Sequence, residues 1–209
     1  MGCIDLMSGL DISCLKPGKF YYQNVILVNK EDVDQFNIYT TNKNSMNFNL
    51  QAGKCGFLFA SNEKRRMINA NFSKKERNNV VFYDHKVDIP IVGTDEEIKV
   101  LLRELDEGEF FGAVQHIDGN IEIYGFEYGL KTNSWNYEAQ SGMGGSIISL
   151  SSQVSEEFPP FNYLPNNPDP GNTIKEQAII DFDNLFCDLD PLFSGDFNND
   201  YNTDFYITN

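Results

Sequence analysis

The stretch that most constrains the fold is TDEEIKVLLRELDEGEFFGAVQHIDGNIEIYGFEYGL, residues 94–130. Its first part has the period of a helix and its second part that of a strand. Thr94 with Glu97 three residues later has the form of a capping box. Asp95, Glu96 and Glu97 complement the positive end of a helix dipole. Ile98, Leu101, Leu102 and Leu105 fall at i, i+3, i+4 and i+7, which makes one apolar stripe, and Gly108 supplies the stop. Residues 110–117 then read as a strand, with Asp118-Gly119 as a two-residue type I′ turn. Ile121 and Ile123 alternate with Glu122 and Tyr124, so the return strand has one buried face. A lone helix with a single apolar stripe must lie against a sheet.

The rest of the chain supplies that sheet. FYYQNVILVN (20–29), KCGFLFAS (54–61), VVFYDHKVDIPIVG (80–93, broken by Pro90) and GMGGSIISLSSQV (142–154) read as strands. Phe36, Ile38, Met46, Phe48 and Leu50 are spaced by twos and predict short strands around an Asn-rich turn. The 17 Phe and 10 Tyr lean the composition toward sheet. Five prolines within residues 159–170 disfavour a central strand and predict extended chain. These features predict a mainly β, α+β domain over residues 1–155, a β-sandwich with one flanking helix. A boundary is expected near 156, with an extended acidic C-terminal arm over 156–209 that has room for a short helix within 173–193.

Charge separates the same two parts. The formal net charge is −15. Residues 1–155 hold 15 basic and 20 acidic side chains, whereas 156–209 hold Lys175 against 11 acids. Such a field opposes sequence-specific nucleic-acid binding and adhesion to an anionic membrane. Six of the 16 basic residues, Lys64, Arg65, Arg66, Lys74, Lys75 and Arg77, fall within 14 positions. Two readings fit them: a solvated hairpin, or a projecting contact for an acidic partner.

Catalytic equipment is hard to find. His85 and His116 both sit in strand-like segments, away from any nucleophile motif. There is no Walker A sequence, G-x-G-x-x-G or H-E-x-x-H, and no cofactor or metal is expected. Cys3, Cys14, Cys55 and Cys187 form no C-x-x-C pair and read as free thiols of a reducing compartment, with Cys3–Cys14 the competing disulfide. Asp196, Asn198, Asp200 and Asp204 take positions 1, 3, 5 and 9 of a calcium loop. Tyr201 stands where glycine is normal, however, and Ile207 where a bidentate Glu belongs. MGCIDLMSGL has no basic n-region and carries Asp5 in its apolar stretch, so it does not read as a signal peptide.

Taken together, residues 83–161 resemble the tail-tube-like proteins of tailed bacteriophages that infect Bacteroidota. The resemblance is carried by a strand pair, a capped helix and a hairpin with Asp118, Gly119 and Gly125. Gly129 with Leu130, the glycine-rich segment at Gly142, and a last strand ending at Glu157 and Pro159 complete it. GLDISCLKPG ahead of a tyrosine-rich strand is also similar. The Asn-rich segment at 37–49 and the acidic extension depart from the pattern, and a tail or neck ring protein of a crAss-like short-tailed phage fits equally well. The resemblance implies a non-enzymatic virion protein of the tail or neck, present in the host cytoplasm during assembly. It implies a homo-oligomeric ring that meets adjacent tail, neck or portal-proximal proteins. Genomic DNA would pass through the lumen without sequence-specific binding, and no membrane would be involved. In that setting the basic stretch becomes an assembly contact. A different class is a carbohydrate- or surface-binding β-module with Tyr128, Trp135 and Tyr137 as stacking residues. An enzyme dependent on His85 or His116 is a third.

Overall fold

Four consecutive apolar residues, Val25, Ile26, Leu27 and Val28, form the middle of strand β1 (Tyr22–Asn29), and all four are fully buried. Successive strand side chains point to opposite faces, so such a run needs a core on both sides. Its antiparallel partner β7 (Phe110–His116) is buried from Phe110 through Gln115. This pair is the middle layer of the molecule. The computed structural model describes residues 22–39, 44–60, 68–92, 96–138, 145–166 and 169–187.

The remaining strands are β2 (Val33–Tyr39), β3 (Ser45–Leu50), β4 (Phe57–Ala60), β5 (Asn69–Arg77), β6 (Val80–Val92), β8 (Ile121–Tyr124), β9 (Leu130–Glu138), β10 (Gly145–Ser152) and β11 (Phe161–Tyr163). They join in one eleven-stranded sheet in the order β2-β3-β11-β8-β7-β9-β10-β6-β5, with β1 on the other edge of β7 and β4 beyond it. A single pairing, Phe110 with Leu130, links β7 to β9. Past that corner the sheet folds back on itself. Val25, Leu27 and Val114 of the middle layer share a core with Ala70, Val87, Ile89, Ile148 and Leu150 of the returning strands. Helix α1 (Glu96–Glu107) buries Leu102 and Leu105 in that core, with Ile98 and Leu101 half-buried against it, so the predicted stripe faces the sheet. The mainly β, α+β class expected from the sequence is what the chain adopts.

The opposite face of the middle layer is covered differently. Ile26, Val28, Phe111 and Ala113 meet Met46, Phe48 and Leu50 of β3, Phe161 of β11, and Ala178 and Phe182 of a second helix, α2 (Ile174–Asp183). Thr173 caps α2 by accepting from the Glu176 N–H, while the Glu176 carboxylate accepts from the Thr173 N–H. Packing therefore does not break near residue 156. β11 runs between β3, in parallel, and β8, antiparallel. Three proline-free residues suffice for it, with Pro159 and Pro160 before and Pro165 after.

Two further expectations change. The β7–β8 connection is longer than a two-residue turn. The Gly119 N–H donates to the His116 carbonyl and the His116 N–H to the Asn120 carbonyl, with only Gly119 left-handed (φ 84°). That is a type I turn followed by a glycine bulge. A two-residue loop with both φ values positive occurs instead at Asn78 (54°) and Asn79 (62°), joining β5 to β6. The second change is covalent. Cys55 and Cys187 form a disulfide across 132 residues, so these two are not free thiols. Cys3, Cys14, the Thr94 cap, Gly142 and the calcium-like set at 196–204 lie outside the described residues. Among the described residues no helix is long and apolar enough to cross a membrane.

Candidate assembly surface

The basic stretch resolves into two parts. Lys64, Arg65 and Arg66 lie outside the described residues. Lys74, Lys75 and Arg77 are exposed on β5, the last strand of the sheet. β6 pairs with β10 only from Lys86 to Val92. Beyond that, β5 and the first half of β6 continue as a two-stranded ribbon, touched by one bridge between Tyr83 and Glu156. Strand alternation divides the cations between two faces. Lys74 shares a face with Phe72, whose ring meets Tyr83 and His85 edge-on. Lys75 and Arg77 share the other, where Lys75 pairs with Asp84. Burial works to raise the Asp84 carboxyl, but the Lys75 and Ser155 hydrogen bonds outweigh it and hold it below the usual range. The six cations are therefore not one patch.

At the root of the ribbon lies a buried polar set. His85 Nδ1 accepts the Gly125 N–H at 2.9 Å, which fixes the proton on Nε2. Gly125 holds φ 73°, a conformation that favours glycine. Burial pushes His85 down to about 4, against the opposing pull of the Phe158 backbone and Asp84. The Glu156 carboxylate, 1% exposed, accepts the Glu127 N–H at 3.0 Å and the Tyr128 N–H at 3.4 Å. Burial pushes it up to about 7; those two hydrogen bonds lower it, and the nearby Glu127 charge raises it further. His116 pairs with Glu122 at 3.0 Å. Both histidines thus sit in or at the end of strands with partners.

The far end of the sheet is β2, whose free side shows Asp34, Phe36 and Tyr39. Phe36 is 54% exposed and rests edge-on against Phe126. Of the proposed stacking residues, Tyr128 and Trp135 do not form a platform. Tyr128 lies in the turn after β8, and Trp135 sits about 17 Å further along β9, bonded through Nε1 to Asp106 of α1 at 3.2 Å. The side chain of Tyr137 is outside the described set. A cleft of about 470 Å³ opens between β3, β11 and α2, where Phe48, Tyr163 and Phe186 meet Asn49, Gln177 and Asn184. Asp181 accepts there from Tyr163 at 2.8 Å and from Gln177 at 2.8 Å, and burial raises the Tyr163 phenol further above its usual range. Among the described residues no group of three His, Cys, Asp or Glu side chains is placed to hold a metal ion.

The basic stretch, read from the sequence as a hairpin or projecting loop, contains the strand β5, and the short strand expected at Phe36 and Ile38 forms as β2. The place of β2 at the end of the sheet was not legible, because nothing local marks a strand as an edge. Sequence reasoning missed the His85–Gly125–Glu156 set, whose members are distant in the chain. No family model, curated protein or solved structure matches the chain.

Proposed function

We propose that the chain is a structural virion protein that associates head to tail into a ring of a phage tail or neck, surrounding the DNA channel. The observation that supports this most is that, among the described residues, the main run of the sheet ends in two unlike open strands, β2 on one side and the basic β5 ribbon on the other. Two different open edges on one molecule favour heterologous contacts, which generate rings when the rotation closes. The net charge of −15 suits a wall that repels phosphates, so that DNA slides rather than sticks. In this reading the basic edge holds acidic neighbours together, and adjacent tail, neck or portal-proximal proteins meet the ring faces. Mass measurement of the purified native protein tests it. A discrete multi-copy ring is the expected result, and a monomer at all concentrations overturns it.

The cleft favours a second reading, a carbohydrate- or surface-binding β-module. Its volume falls in the range of small-ligand sites, and rings beside amide side chains suit a neutral polyhydroxylated ligand. Glycan-array binding that is lost in Asn184→Ala, with no ring formed, would select it.

A further inference from the structure

We propose that β5 of one copy adds to β2 of the next as an antiparallel strand, in the register that sets Phe72 opposite Phe36. The inference rests on the ring reading and names the two edges that make it. Among the described residues β5 pairs only with β6, and β2 only with β3. Each therefore offers a row of backbone donors and acceptors to another strand.

Charge selects the direction. The cations Lys74, Lys75 and Arg77 lie at the C-terminal end of β5; Asp34 lies at the N-terminal end of β2, with Glu31 in the 3-10 turn just before it. Antiparallel pairing brings those ends together, whereas parallel pairing separates them. Side chains select the register. With Phe72 opposite Phe36, Ala70 meets Ile38 and Lys74 comes level with Asp34, which the bulge turns to the face away from Phe36, so Lys74 meets it across the strand edge. Phe72 is 47% exposed and Phe36 54%, each already steadied by a ring on its own copy. Among the described residues Lys74 makes no ion pair, and the bulge between Val33 and Gln35 leaves Asp34 exposed with no β3 partner. A slip of two residues one way sets Glu76 against Asp34. The other slip brings Lys74 to Asp32, which is buried and already held by Asn29 and Lys54. Odd slips turn the two phenylalanines to opposite faces. Pairing β5 with β5 of a second copy, centred on Lys74 and Lys75, sets cation against cation. Of these pairings, the heterologous antiparallel register brings the two phenylalanines together with the oppositely charged strand ends side by side.

The test is charge exchange in the full chain, read by sedimentation velocity at low and high salt. Asp34→Lys and Lys74→Glu should each weaken self-association by about tenfold or more, and the double exchange should restore it to within about threefold of wild type. Both sites are exposed, so the melting temperatures should stay close to wild type. Single variants that assemble like wild type, or a double variant that is not rescued, overturn this pairing while an assembling wild type keeps the ring reading. A wild type that stays monomeric to about 0.1 mM overturns both.

Discussion

His85 and Glu156 respond to protons in opposite directions. The folded-state value of His85 is depressed to about 4 from 6.5, so its contribution is present above the unfolded value and is lost as pH falls toward 4. The folded-state value of Glu156 is raised to about 7 from 4.5, so its contribution is full below 4.5 and is lost as pH rises through 7. Between about 4.5 and 6.5 the two slopes oppose each other, and the wild-type stability curve should be flat there. Glu156→Gln removes one of them. Its stability should rise with pH across that window, by an amount on the order of 2–3 kcal/mol. The variant should also be less stable overall, because the Glu127 and Tyr128 N–H groups use separate carboxylate oxygens and the amide replaces one of these with a donor. Urea unfolding at several pH values checks this, and a variant that keeps the flat profile refutes the assignment. In α1 the burial difference is equally specific. Leu102→Ala should cost about 2–5 kcal/mol, and the half-buried Leu101→Ala clearly less.

Helix α2 is the element on which the second core depends. Its capping box holds the N-terminal end, and Thr173→Ala should cost about 1 kcal/mol in thermal or chemical unfolding. At the other end Leu185 and Phe186 both adopt left-handed φ values, 58° and 54°, each of which costs about 1–2 kcal/mol for such residues. Three contacts hold them: the Gly56 N–H on the Leu185 carbonyl, the buried Phe186 ring, and the Cys187 disulfide. The double variant Cys55→Ser, Cys187→Ser should lose about 2–5 kcal/mol, measured against wild type without reductant. What the sequence revealed follows from where each signal lies. α1, β1 and the β7–β8 hairpin were legible because stripe, apolar run and turn are local. α2 did carry a signal, Thr173 with Glu176 and then Ala178, Phe182 and Phe186 four apart, which the surrounding prolines obscured. β11 carried none, since a three-residue strand is defined by its partners. Disulfide pairing was equally hidden, because Cys55 and Cys187 meet only after both cores form.

At the scale of the whole molecule, residues 156–187 close the core rather than trail from it. Ending the chain at residue 155 removes Phe161, Ala178, Phe182 and Phe186 and uncovers the face of Ile26, Val28, Phe111 and Ala113. Burial of three phenylalanines is worth on the order of 5–9 kcal/mol, as much as the net stability of many domains. The truncated chain should therefore lack a cooperative melt in calorimetry. A sharp transition near the wild-type temperature would restore the boundary near 156 that proline content suggested.

The Cys55–Cys187 bond also decides how the molecule behaves under load. A tension applied across its flanks passes from residue 55 directly to residue 187, and the 132-residue interval between them carries none of it. Pulled from outside that interval in a force spectrometer, the oxidised chain can release β1–β3 but not the contour from β4 through α2, however far it unfolds. Adding reductant should lengthen the fully stretched chain by about 450 Å.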